Sequence, residues 1–302
     1  MNLALLSTVL ALVLCRICPA AHCTTVLNPV LLPEYEKYVA AMEEGAAARF
    51  DSGELAWVPA NAAKDAAATL AAGKLVRSNI SDGALNQRLA PQNGTVIHWI
   101  GAIVIRGVDL SGVRSVLEDY GRYDRIYRAI IFACTAHKAG DSPDPLYDVV
   151  LGMHTSYRFA SIFLQHYAFR VEGKMEYSSL KVPDSGLRVR LAASEIRESD
   201  SGVPKRNDWL ERYHDHGIMW ALNAYWRARQ RGRDVYLEFE TITLARSVQE
   251  FACNFGFVPI PKSILYGAMD ALPAESVGVV LDGTRAECER RAGPRREKAP
   301  GP

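Results

Sequence analysis

No run of basic residues occurs inside the chain, and that absence removes the simplest electrostatic footprint of a nucleic-acid partner. Lys and Arg number 35 against 34 for Asp and Glu, a formal charge of +1. The one basic cluster, Arg290, Arg291, Arg295 and Arg296, falls in a Pro- and Gly-containing tail and reads as a solvated end. Cysteine is scarce. Of six, Cys15, Cys18 and Cys23 lie at the extreme N-terminus, leaving Cys134, Cys253 and Cys288 for the body of the chain. Three cysteines allow one bridge but do not make a disulfide scaffold, and no two of these three form a Cys-x-x-Cys pair that would mark a zinc or redox site. Cys134 sits in an apolar strand pattern and reads as packed rather than reactive. A Gly-x-Ser-x-Gly elbow is missing, and no glycine-rich loop enters a helix to cradle a phosphate, so no cofactor is expected.

Nor is there an apolar run of the roughly 20 residues that span a bilayer. "MNLALLSTVLALVLC" is shorter and uncharged, and reads as the core of a signal peptide over residues 1–23. It departs from the usual pattern in having no basic residue before the apolar core, with Arg16 after it. Ala20-Ala21-His22-Cys23 is a poor lipid-attachment box, so an exported chain, periplasmic or secreted, is expected rather than a lipoprotein.

What is present is ordinary globular composition, 49% apolar and 23% charged over 302 residues, enough for a sizeable core. Residues 24–93 read as a helical N-terminal extension. Tyr35, Tyr38, Val39 and Met42 share one helical face, and "ANAAKDAAATLAAGKL" suggests a second helix capped by Gly73. "SNISDGALNQRLAPQNG" has turn chemistry and reads as a connection. Residues 94–292 form the main domain and 293–302 a tail. From Thr95 the texture is β-rich, with about seven strands on short links. One helix interrupts them: Asp109 caps it, and Val113, Val116 and Leu117 form its apolar face. A long helix closes the domain, with Pro273 in its first turn and Val277, Val280, Leu281, Thr284 and Cys288 as its stripe. Consecutive strands with short links imply an antiparallel sheet with helices on one face, an α+β architecture.

The last two strands, "GIMWALNAYWRARQ" and "RDVYLEFETITLARS", can be paired by arithmetic. A two-residue turn at Arg231-Gly232 sets Trp226 opposite Leu237, Tyr225 opposite Glu238 and Asn223 opposite Glu240. A turn at Gly232-Arg233 shifts partners by two but keeps the faces, whereas a three-residue turn swaps them. On either two-residue turn, Ile218, Trp220, Leu222, Ala224, Trp226, Val235, Leu237 and Phe239 share an apolar face. Asn223, Tyr225, Arg227, Arg229, Glu238 and Glu240 share the other, expected to be the wet side. Turned inward instead, Arg227 and Glu238 would be a buried polar floor for a ligand head group.

Two stretches resemble a known superfamily. "GVDLSGVRSVLEDYGRYDRIY" resembles the strand–helix–Asp-Tyr-x-x-Tyr segment of START-like proteins, the SRPBCC or polyketide-cyclase/Bet v 1-like group. "DHGIMWALNAYWRARQRGRDVYLEFETITLAR" is similar to exported bacterial members of it. The resemblance runs from about Gly73 to Arg285. It implies a helix-grip fold, a curved antiparallel sheet on a long C-terminal helix, with a cavity between them. The superfamily includes lipid carriers, hormone binders and cyclases, so fold does not supply the activity.

The expected function is binding, with transport of a lipid or other hydrophobic small molecule. The alternatives are a cyclase- or hydrolase-like enzyme and an interaction module with a filled cavity. Expected cavity lining is Trp99, Phe132, Trp220, Leu222, Trp226, Leu237, Phe239, Val277 and Leu281, with Tyr225, Arg227 and Glu238 as polar anchors. Phe251, Phe255 and Phe257 are lid candidates that would also make transient membrane contact. His214-Asp215-His216 points two imidazoles to one side of a strand. Zinc needs a third ligand, however, and His98, His137, His154 and His166 belong to other segments, so no metal is expected.

Overall fold

The computed structural model describes residues 24–52, 63–140, 142–159, 163–180, 186–199, 201, 204–205, 207–247 and 262–293. Residues 1–23, expected to be a signal peptide, the lid candidates Phe251, Phe255 and Phe257, and Cys253 lie outside the described residues.

In chain order come β1 (Thr25–Val26), α1 (Leu31–Asp51), α2 (Ala63–Ala71), β2 (Val76–Asn79), α3 (Gly83–Leu89) and β3 (Gly94–Arg106). Then follow α4 (Leu110–Leu117), α5 (Tyr123–Ile126), β4 (Ile131–Ala139), β5 (Leu146–Phe159), β6 (Phe163–Leu180) and β7 (Gly186–Ser199). The chain ends with β8 (His214–Asp215), β9 (Ala221–Arg231), β10 (Asp234–Arg246) and α6 (Lys262–Ala292). Eight strands form one antiparallel sheet in the order β2-β3-β10-β9-β7-β6-β5-β4, and β1 pairs with β8 separately. The seven strands expected of the main domain are all present. The eighth, β2, runs into the start of the stretch read as a connection, and α3, whose first turn is capped by Asp82, lies inside it. A four-residue edge strand beside turn-forming residues leaves too little period-2 signal to see.

α6 lies across the inner face of the sheet and packs onto Gly101 of β3. A β-carbon there would stand 2.6 Å from Val277 and 3.0 Å from Leu281, so only glycine admits the helix. Gly283 lies equally tight against α5, where an added β-carbon would meet the Ile126 carbonyl oxygen at 2.7 Å. The expected stripe of α6 is buried throughout. Its start is a correction: the helix begins at Lys262, so Pro273 is interior and forfeits one backbone hydrogen bond. On the same side, α4 is capped as expected, with Asp109 Oδ1 accepting from Gly112 N at 2.8 Å.

The β9–β10 hairpin keeps its expected faces but not its first register. Arg231 pairs with Asp234 and Trp226 with Phe239, so the turn is Gly232-Arg233. Gly232 has φ of 60°. A turn that needs positive φ at its first central residue places glycine there, which moves the register by two.

The outer face is the larger correction. It is not wet. Arg227, Glu238 and Glu240 are only 9%, 6% and 2% exposed. α1 covers them, burying Leu31, Tyr35 and Val39 in a second apolar cluster with Tyr225, Ile242 and Leu244, while its Phe50 ring lies against the Arg229 guanidinium.

Candidate functional site

Between the inner face of the sheet and α6 lies a cavity of about 140 Å³. Its floor comes from alternate residues of the central strands, Leu222, Ala224 and Trp226 of β9 and Phe239, Thr241 and Thr243 of β10. Leu151 and Met153 of β5 and Phe169 and Met175 of β6 form the far wall. Pro273, Ser276 and Val280 of α6, with Tyr123 and Tyr127, close it. No Asp, Glu, Lys or Arg lines it among the described residues.

The two lining tyrosines hold their hydroxyls elsewhere. Tyr123 donates to the Leu117 carbonyl, and Tyr127 OH pairs with Thr284 Oγ1 at 3.0 Å. Burial raises both phenol pKa values well above the ordinary range. The half-buried His154 donates from Nε2 to the Ala129 carbonyl at 3.0 Å. Trp226 Nε1 is buried with no hydrogen-bond partner among the described residues.

Of the residues expected to line the cavity, Leu222, Trp226 and Phe239 do so. Leu237, Val277 and Leu281 are buried on the same side but pack into the adjoining core, and half-buried Trp99 packs against that core. Two are placed elsewhere. Phe132 sits at an irregularity in the β4–β5 pairing, 39% exposed, its ring over Gly152. Trp220 joins the cluster under α1 and donates Nε1 to Asp215 at 2.9 Å. Strand β9 begins only at Ala221, and Gly217 at φ of 72° turns the preceding chain, so strand alternation does not reach Trp220. The anchor candidates Tyr225, Arg227 and Glu238 are on the outer face, away from the cavity. Alternation could not find Tyr123, Tyr127 or Met219, because they come from a short helix, a turn and a loop.

The outer face carries a buried polar chain instead. His98 bonds Tyr38 OH through Nδ1 at 2.8 Å and Glu240 Oε1 through Nε2 at 2.6 Å. Arg227 donates to Glu240 and, at 2.7 Å, to Glu238. Burial pushes the Glu240 carboxyl up, but the His98 hydrogen bond and the Arg227 charge outweigh it and hold the pKa at about 2. Such pairing is what a charge taken out of water requires.

His214-Asp215-His216 has a different use from metal binding. Among the described residues no three His, Cys, Asp or Glu side chains gather into a metal-sized group. Asp215 Oδ1 accepts from Gly217 N and Trp220 Nε1, tying the loop before β9 together. Fully buried Glu198 accepts from the backbone N–H groups of His216, Ile218 and Met219 at 2.7–3.0 Å. Ile218 and Met219 line the cavity, so Glu198 positions part of its wall. Burial, with the Asp215 charge, pushes the Glu198 carboxyl well above the usual range. Burial also raises the thiols of Cys134 and Cys288 to about 12, which leaves them unreactive near neutral pH.

The open antiparallel sheet with α6 across its inner face is consistent with a helix-grip fold. No protein-family model matches the chain, and no curated protein does. Among solved structures, a STAR-related lipid transfer protein from Xanthomonas axonopodis is similar at 13% identity and a TM-score of 0.39, covering 70% of this chain and 98% of that one. The Zhui aromatase/cyclase from Streptomyces matches at 13% identity and a TM-score of 0.39, covering 66% and 96%. Human StAR-related lipid transfer protein 5 matches at 10% identity and a TM-score of 0.38, covering 85% and 100%. These neighbours belong to the START-like superfamily. The helix-grip description rests on the topology and not on these overlaps.

Proposed function

We propose that this chain binds a hydrophobic small molecule in the cavity between the sheet and α6. The observation that carries the reading is a partly open, mostly apolar space, lined among the described residues by no Asp, Glu, Lys or Arg, where close packing is the norm. About 140 Å³ suits one ring or a short branched group. A long acyl chain exceeds that volume, so lipid transport stands as the extension of the reading. The cyclase- or hydrolase-like alternative needs a reactive pair converging on the cavity, and Tyr123 and Tyr127 are committed to Leu117 and Thr284. An interaction module would have filled the space with its own side chains.

Export accompanies the proposal. Residues 1–23 would direct the chain out of the cytoplasm, and N-terminal sequencing of the cell-derived protein beginning near Cys23 checks it. Among the described residues no helix is long and apolar enough to cross a membrane. For binding, the full chain is purified from cells without detergent and weighed by native mass spectrometry. A retained apolar molecule is expected, lost on Ala224→Phe, which fills the floor. No retained molecule and no binding of any apolar probe on titration removes the proposal.

A further inference from the structure

Four residues of the cavity lining stand in one row across the sheet. Thr241 of β10 pairs with Ala224 of β9, Ala224 with Leu191 of β7, and Leu191 with Met175 of β6. All four line the cavity, so the row is a track along its floor. The two ends of the track differ in chemistry. Leu191 and Met175 are 2% and 0% exposed and carry no hydrogen-bond donor. Ala224, between the ends, is small and leaves room above it. Thr241 brings a hydroxyl, and Thr243, two positions on along the same face of β10, brings a second. Neither hydroxyl has a hydrogen-bond partner among the described residues. Neither is among the side-chain atoms sealed off without one, as Trp226 Nε1 is. Thr241 is only 8% exposed, so the surface its hydroxyl keeps belongs to the cavity it lines. Thr243, Thr155 and Ser276 are half-buried, so the lining is hydroxyl-bearing where it is least covered and hydrocarbon where it is deepest.

We propose that the ligand is a neutral alcohol or carbonyl compound lying along this row, its oxygen at Thr241 and Thr243 and its hydrocarbon end on Leu191 and Met175. This rests on the hydrophobic-ligand reading above and adds the ligand's polarity and direction. A hydroxyl both donates and accepts, so the two threonines serve an alcohol and a carbonyl equally. Buried hydroxyls ordinarily have a partner, and a ligand oxygen supplies the missing one. Tyr123 and Tyr127 do not compete for it, because their hydroxyls are committed to Leu117 and Thr284. Among the described residues the lining holds no Asp, Glu, Lys or Arg, so a carboxylate, phosphate or amine drawn inside would be an unpaired charge. From Thr241 to Leu191 is two strand spacings, about 10 Å. That length, with a volume of about 140 Å³, suits one ring carrying a short substituent. The opposite direction would set the oxygen against Leu191 and Met175, which have nothing to donate, and leave both threonines unpaired.

The test uses two probes of one shape, 2-phenylethanol and propylbenzene, which differ by a hydroxyl in place of a methyl. Each is titrated into the full chain and into the double variant Thr241→Val, Thr243→Val, which keeps the shape of both side chains and removes both hydroxyls. Affinity is read from tryptophan fluorescence. In the double variant 2-phenylethanol should bind about five- to tenfold more weakly, the worth of one hydrogen bond. Propylbenzene should change by less than about threefold. Direction is read in the unaltered chain from NMR contacts between each bound probe and protein methyl groups. The carbon bearing the hydroxyl should contact the Thr241 or Thr243 methyl, and the ring the Leu191 methyls. Should the double variant fail to fold, the direction measurement decides. An equal loss for both probes, an unchanged affinity for 2-phenylethanol, or the reverse direction overturns the polar end and leaves the cavity reading standing. Binding of propylbenzene alone does the same. Binding of neither probe overturns both.

Discussion

The Tyr225 hydroxyl donates to Glu43 Oε1 at 2.8 Å, joining the outer face of β9 to α1 across 182 positions of sequence. The same carboxylate oxygen accepts from Arg190 Nε of β7 at 2.6 Å. Glu43 thus fastens α1 to two neighbouring strands, and α1 seals the polar chain beneath it. Glu43→Ala should lower unfolding free energy by about 1 kcal/mol, discounted because this carboxylate and Arg190 are each about a third exposed. Tyr225→Phe in that background should add little, since the two share one bond. Urea denaturation of the single and double variants measures both.

Removing the cation inside that chain should be far worse. Arg227→Met leaves Glu238 and Glu240 buried together without their shared partner, a loss of about 3–5 kcal/mol. Adding Glu240→Met should recover part of it. A loss below about 1 kcal/mol for Arg227→Met would mean the layer is wetter than its burial indicates.

Two carboxyls pull stability in opposite directions with pH. Glu240 has its folded pKa lowered from 4.5 to about 2, so its contribution is present above pH 4.5 and is lost as pH falls towards 2. Glu198 has its pKa raised well above 4.5, so the folded state holds a proton that the unfolded chain releases. Its effect is a stability that declines as pH rises past 4.5. Chemical denaturation across pH should show Glu240→Gln flattening the acid limb and Glu198→Gln flattening the limb above it. Unchanged slopes in both variants would contradict the assignment.

Helix packing gives a steric prediction. Gly283→Ala sets a β-carbon 2.7 Å from the Ile126 carbonyl oxygen, a backbone atom that moves only with α5. Gly101→Ala meets mainly side-chain atoms of Val277 and Leu281. Each should cost about 1–3 kcal/mol as overpacking, with Gly283→Ala the larger. Thermal unfolding ranks them, and the reverse order would place the tighter contact at the sheet.

Much of the fold was legible in the chain. Period-2 alternation named the seven long strands, and the order of strands and helices set the α+β class. Alternation also sorted Leu222, Ala224 and Trp226 from Tyr225, Arg227 and Glu238 correctly. It failed where periodicity has no purchase. The four residues of β2 are too few to show a repeat, and Gly217 breaks the pattern before it reaches Trp220. The turn could be placed only by asking which position demands positive φ, which is where Gly232 sits.

By itself, then, the sequence determined which side chains share a face, because backbone geometry alone sets that period. Only the tertiary structure decided what each face meets. The ion pairs of Arg227 with Glu238 and Glu240 read equally well as a wet surface or a buried layer until α1, far away in the chain, is laid over them. Trp226 likewise reads as an ordinary core residue until the sheet, α5 and α6 leave a space beside it. Burial is a property of distant segments brought together, and a local pattern carries no record of what will cover it.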